Sequence, residues 1–184
     1  MAIQIHLVRH GEAEAGWSVD PDPGLSVLGR GQAQAVRDQL VAAGPLPLFS
    51  SPLRRAQQTA QPLAHAWQTA VIVEPAFREI PAPSHLSLQD RIGWLLSVRD
   101  LDWSQADPAL WQWRDAIATQ LSALKSSSVI FTHFMVLNLV AGLASGCSRL
   151  VHYQPANGSI LTITVEQGNF SVLDWGQQAE SNVL

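Results

Sequence analysis

The sequence predicts an α/β fold, a three-layer sandwich in which a mostly parallel central sheet carries helices on both faces. Three observations predict it. The chain opens on an alternating strand pattern, short apolar runs then alternate with helical periodicity as far as residue 143, and a length of 184 residues makes one domain the default.

Taken in order, Ile3, Ile5 and Leu7 alternate with Gln4, His6 and Val8, the period of two of a strand that stops at Arg9. Ser26 is a suitable N-cap, and Val36, Leu40 and Ala43 recur at helical spacing until Gly44 and Pro45 end the run. Leu48 to Ser50 forms a short strand, and Ala56, Ala60, Leu63, Ala64 and Trp67 mark one face of a second helix. Residues 71–74 make another strand. Pro75, Pro81 and Pro83 then bracket a loop, after which Leu88, Ile92, Leu95 and Leu96 share the face of a third helix. Leu110, Trp113, Ile117, Leu121 and Leu124 define a fourth, starting near Pro108, because proline is tolerated in a first turn. Val129 to Phe131 is an apolar strand ending at Thr132 and His133, and residues 134–143 are apolar nearly all round, as in a buried helix. Residues 159–166 and 170–175 read as a closing hairpin around Gln167, Gly168 and Asn169. One domain over 1–184 follows, with a candidate flap at 77–107 and a loose tail at 177–184. The tryptophans are expected mostly in the core.

Composition narrows the function. Hydrophobic residues at 47% against 14% charged supply the apolar surface that an ordered chain needs. A formal net charge of −4 offers no broad positive face, so no nucleic-acid partner is expected. Lys125 is the sole lysine, and the other basic residues are arginines, whose planar fork suits phosphate oxygens. Cys147 has no cysteine to pair with, Met1 to His10 shows no cationic leader, and no run approaches about 18 apolar residues. A cytoplasmic protein acting on a small molecule is expected, with no membrane partner.

In open α/β sheets, ligands bind beyond the carboxyl ends of strands, which is where Arg9-His10-Gly11 and Thr132-His133 fall. Gly11 would let a ligand approach the backbone. The permanent cation of Arg9 disfavours imidazolium at His10 and keeps the ring nucleophilic. His6 and His10 would share a metal on a helix, but along a strand they lie about 13 Å apart, so no shared ion is expected.

The run Leu7-Val8-Arg9-His10-Gly11-Glu12 resembles the signature of the histidine phosphatase superfamily, the group that includes the phosphoglycerate mutases. Leu25-Ser26 with Gly29, Gln32 and Ala33 looks like the helix that follows, and Ser50 to Ala60 (SSPLRRAQQTA) resembles the family's second-arginine motif. Phe77-Arg78-Glu79-Ile80 is similar to the segment holding its acid, and Val129 to His133 to its second histidine strand. The resemblance covers residues 5 to 133 in the family's order and implies a phosphoglycerate mutase-like sandwich.

It further implies that His10 accepts a phosphoryl group, that Arg9, Arg55 and His133 surround the phosphate oxygens, and that Glu79 protonates the departing oxygen and later activates water. By position alone Arg54 competes with Arg55, and Glu12, Glu74 and Asp90 compete with Glu79. Two guanidinium groups facing a phosphate dianion leave no need for a metal, and no cofactor is expected. Phe134 stands where the family often has Gly, and Gly16 where it often has Asn. Ile80-Pro81-Ala82-Pro83 lacks the Gly-rich, aromatic continuation of the mutases, so a phosphatase acting on a phosphomonoester is the leading expectation. The alternatives are a phosphohistidine protein phosphatase, a mutase, and a phosphate-binding module without activity.

Overall fold

A computed structural model describes residues 2–16 and 18–179. Its elements are β1 (Ile3–Arg9), α1 (Val27–Leu40), β2 (Leu48–Ser50), α2 (Arg54–Trp67), β3 (Val71–Val73), α3 (Arg91–Arg99), α4 (Pro108–Ala123), β4 (Ser128–Thr132), α5 (Phe134–Ser145), β5 (Ile160–Glu166) and β6 (Asn169–Asp174). The strands form one sheet in the order β3-β2-β4-β1-β5-β6. β3, β2, β4 and β1 run parallel, and the β5–β6 hairpin adds to β1 antiparallel.

The period of two decides which layer each strand residue serves. Ile5 and Leu7 of β1, with Ile130 of β4, pack under α4 and α5, whereas Val8, Val129 and Phe131 face Val36 and Leu40 of α1 and Ala60 and Leu63 of α2. A slip of one residue would send each set to the wrong layer, so this pattern fixes the register of β1 on β4, Ile5 opposite Ser128 through Arg9 opposite Thr132. The unbroken apolar run from Phe134 reflects its place: α5 is buried on every side from Phe134 to Gly142. Each such large side chain contributes roughly 1.5–3 kcal/mol to folding.

Caps set the helix boundaries. The Ser26 side chain accepts from the Gly29 N–H at 2.9 Å, as expected, and Asp107 caps α4 through the Leu110 N–H at 3.0 Å. Two boundaries differ from the sequence reading. The first helix tightens into a 3₁₀ turn over Val41–Ala43, and Leu88 lies in a turn before α3, where the Ser87 hydroxyl donates to Asp90 at 2.6 Å. The tryptophans also depart from expectation: among those described only Trp103 is buried. The indole N–H explains two of them, since Trp67 donates to the Val41 carbonyl and Trp113 to that of Arg78, at 2.9 and 3.0 Å near the surface.

The 77–107 segment is anchored by Phe77, Ile80, Leu95, Val98 and Trp103 in the core beneath α4 and α5. Of the expected loose tail, Gln177 and Ala179 are instead hydrogen-bonded to Ala156 and Gln154, and Gln178 bridges Pro155. These backbone pairings with residues 154–156 hold them there. Residues 180–184 lie outside the described residues. Among the described residues no helix is long and apolar enough to cross a membrane.

Candidate active site

Three neighbouring parallel strands end at one edge of the sheet, and each continues directly into a candidate residue. The His10 N–H donates to the Thr132 carbonyl at 3.0 Å and the Ser51 N–H to that of Phe131 at 2.9 Å. The ladder thus carries past the strands, drawing His10, Ser51 and His133 together although 123 positions separate the first from the last. The two arginines that compete by position diverge at the first turn of α2. Arg55 points inward and is only 5% exposed, while Arg54 is exposed, with its backbone N–H and guanidinium on Asp22.

The His10 ring is fixed at both nitrogens. Nδ1–H donates to the Gly11 carbonyl at 2.7 Å, which leaves Nε2 with a lone pair that accepts from Arg55 Nε at 3.1 Å. Desolvation, reinforced by the charges of Arg55 and then Arg9, holds the His10 pKa well below the usual histidine range, so the ring is neutral. His133 lies 5.2 Å away, centroid to centroid and edge to face, and burial likewise pushes its pKa well down. Arg9 donates from Nη1 to the Pro155 carbonyl at 2.7 Å and lays its guanidinium over the Phe134 ring at 5.1 Å. Phe134, the departure from the family pattern, is thus the face on which Arg9 rests. Burial pushes the Arg9 pKa down to about 10, which leaves it charged at neutral pH.

A cavity of about 320 Å³ opens onto this edge, walled by Arg9, His10, Arg55, Glu79, Leu95 and Asn157 among others. Arg9 Nε and Arg55 Nη1 are buried without a hydrogen-bond partner. Cationic donors left open in this way call for an anionic acceptor. Glu79 is partly buried; desolvation raises its pKa, against the lowering effect of the Ile80 N–H at 2.9 Å and of Arg55 and Arg9. Of its competitors, Glu74 is taken up by Ala76 and Gln120, Asp90 by Ser87, and Glu12, though on the cavity wall, is exposed and bonded to Ser26. His133 is the exception among the expected site residues: it is fully buried behind His10 and is not part of the cavity wall.

Three contributors escaped the sequence reading. Ser51 holds His133 Nε2 at 2.7 Å, Asn157 donates to the His10 carbonyl at 3.1 Å, and Thr59 receives the Gly11 N–H at 3.0 Å. The Ser51 and Thr59 hydroxyls lay inside the quoted second-arginine motif, whereas nothing near Asn157 signals it.

The reading of Gly11 needs correction. A Cβ there would overlap the carbonyl oxygen of Gly29 in the first turns of α1, so the missing side chain makes room for the helix rather than for a ligand. Backbone against backbone leaves nothing flexible to yield. Gly11→Ala is therefore expected to cost about 2–3 kcal/mol of stability, read as a lower urea midpoint; an unchanged midpoint would refute this account.

The pattern of the histidine phosphatase superfamily (branch 1) matches residues 5–89. A probable phosphoglycerate mutase of Proteus mirabilis is 39% identical over 84 residues, which is 42% of this chain and 38% of that protein. A PE-PGRS family protein of Mycobacterium tuberculosis is 45% identical over 87 residues, 44% of this chain and 15% of its own length. The chain thus spans well under half the length of the curated relatives it matches first. Mycobacterial glucosyl-3-phosphoglycerate phosphatase shares the fold with a TM-score of 0.73 at 21% identity, covering 96% of this chain and 99% of that one. A phosphoglycerate mutase of Thermus thermophilus does so at 0.64 and 23%, covering 94% and 97%. Residues 5–89 thus resemble the histidine phosphatase superfamily, and the whole chain has a phosphoglycerate mutase-like fold.

Proposed function

We propose that the chain is a phosphatase that hydrolyses a small phosphomonoester through a phosphohistidine on His10, with no metal, in the cytoplasm. The observation that carries this reading is the His10 ring itself: neutral, tautomerically fixed by Gly11, and with its Nε2 lone pair at the edge of a cavity that the Arg9 and Arg55 guanidinium groups also line. An incoming phosphate dianion competes with Nε2 for the Arg55 N–H groups. As Arg55 turns to the oxygens, the lone pair is released.

Nε2 then bonds to phosphorus while the ester P–O bond breaks, and the departing oxygen takes a proton from Glu79, whose pKa desolvation raises. The new carboxylate next removes a proton from water. The water oxygen attacks phosphorus, the N–P bond breaks, and inorganic phosphate leaves with His10 neutral again. Arg9 and Arg55, with His133 behind His10, stabilise the charge that grows on the equatorial oxygens. Quenching the protein in denaturant during turnover of an aryl phosphate tests the reading. One PO₃ group on His10 by peptide mass spectrometry is expected, and turnover is expected to survive dialysis against a chelator. Hydrolysis with an unmodified His10 would overturn it.

A mutase is favoured by one observation, the name carried by the Proteus mirabilis relative. It predicts isomerisation of a phosphoglycerate faster than release of phosphate from it, and the two products are separable in one assay.

A further inference from the structure

The Ser51–His133 pair is buried completely, and its hydrogen bonds admit only one arrangement that uses every proton of the serine. The Ser51 oxygen accepts the Leu53 N–H at 3.2 Å and lies 2.7 Å from His133 Nε2, while His133 Nδ1 is buried with no partner. Burial keeps the His133 ring neutral, so it carries one proton. On Nε2, that proton would point at Ser51 and leave the serine O–H with no acceptor and a bare lone pair on buried Nδ1. On Nδ1, it lets the Ser51 O–H donate to Nε2 and accept from Leu53, so that the one group left open is a donor.

We propose that Ser51 is a positioning residue that locks His133 as the Nδ1–H tautomer, so that the free nitrogen of the ring packed against His10 is a donor rather than a lone pair in the buried layer behind the nucleophile. The tautomer follows from the hydrogen bonds alone; its consequence for turnover rests on the phosphatase reading. An N–H dipole in that layer adds to the positive potential that Arg9 and Arg55 present to the phosphoryl charge, and a bare lone pair would subtract from it, in a low-dielectric site where such terms are least screened. The serine thus acts on phosphate through another side chain, as the outer partner of a metal-bound histidine fixes which ring nitrogen is free.

Long-range ¹H–¹⁵N spectra of the intact chain labelled at histidine read the tautomer directly, with His133→Gln identifying the resonances. At neutral pH, His133 is expected to show a protonated Nδ1 and an unprotonated Nε2. Ser51→Ala should give a mixture of tautomers and lower kcat/KM for an aryl phosphate about tenfold, with matching loss of orthovanadate affinity. Ser51→Thr, which keeps the hydroxyl, should retain both. A wild-type His133 protonated at Nε2 overturns the proposal, whether or not the variants fold. So does Ser51→Ala behaving like Ser51→Thr. If His10→Ala retains turnover, the phosphatase reading falls and the wild-type tautomer still decides the proposal for Ser51.

Discussion

Replacing His10 by Ala is expected to lower kcat for an aryl phosphate by about 10⁴-fold or more, because it removes the atom that bonds to phosphorus rather than an aid to that step. No neighbour is placed to substitute. His133, the nearest imidazole, is withdrawn behind His10, with one nitrogen committed to Ser51. The substitution also removes the acceptor of Arg55 Nε, which is buried, so a stability loss of about 1–3 kcal/mol is expected beside the kinetic effect. The two are separated by measuring orthovanadate binding and the urea midpoint of the same variant. A folded variant that binds the anion and turns over nothing is the expected result; turnover within tenfold of the parent would remove His10 from the chemistry.

What the sequence makes legible here is whatever local patterning controls. The alternation of Ile3 to Val8, the cap at Ser26, the proline in the first turn of α4 and the all-round apolar run of α5 each state a local preference that packing then respects. Strand ends are legible in the same way, so that His10 and His133 could be assigned to one edge before their separation was known. The choice of Arg55 over Arg54 follows from one helical step of about 100°, but only once α2 is known to begin at Arg54.

Contacts made by backbone atoms are a different matter. Arg9 is oriented by the carbonyl of Pro155 and His10 by that of Gly11, with Asn157 on the carbonyl of His10 itself. A carbonyl carries no residue identity, so no motif announces it. Gly11 misled for the same reason: glycine signals close approach without saying what approaches, and the partner is the backbone of Gly29. The depth of His133 was equally hidden, since a strand end marks an edge of the sheet and not a distance from the cavity.

Replacing Glu79 by Gln is expected to separate esters by their leaving groups. An alkyl phosphate needs a proton on its departing oxygen and should lose about 10²–10⁴ in kcat/KM. A nitrophenyl phosphate leaves without that help, so it should still phosphorylate His10, but the water of the second step then lacks its base. The variant should give a burst of one nitrophenol per protein followed by slow turnover, with phosphohistidine accumulating. The pH dependence has a definite sign. Desolvation raises the Glu79 pKa, so the proton donor is lost, and kcat/KM falls, as pH rises through a value above that of an ordinary glutamate. Burial and the two arginines lower that of His10, so its nucleophilic form is lost only as pH falls well below the usual histidine range. The active window therefore lies between an acid limb set by His10 and an alkaline limb set by Glu79. An ester's own second ionisation, near about pH 6, also falls in this region, which makes the difference between parent and variant profiles the informative quantity. Glu79→Gln should erase the alkaline limb and leave the acid one. Equal losses for both esters, with no burst and the alkaline limb intact, would transfer the proton chemistry to one of the other carboxylates on the cavity wall, Glu12 or Glu14.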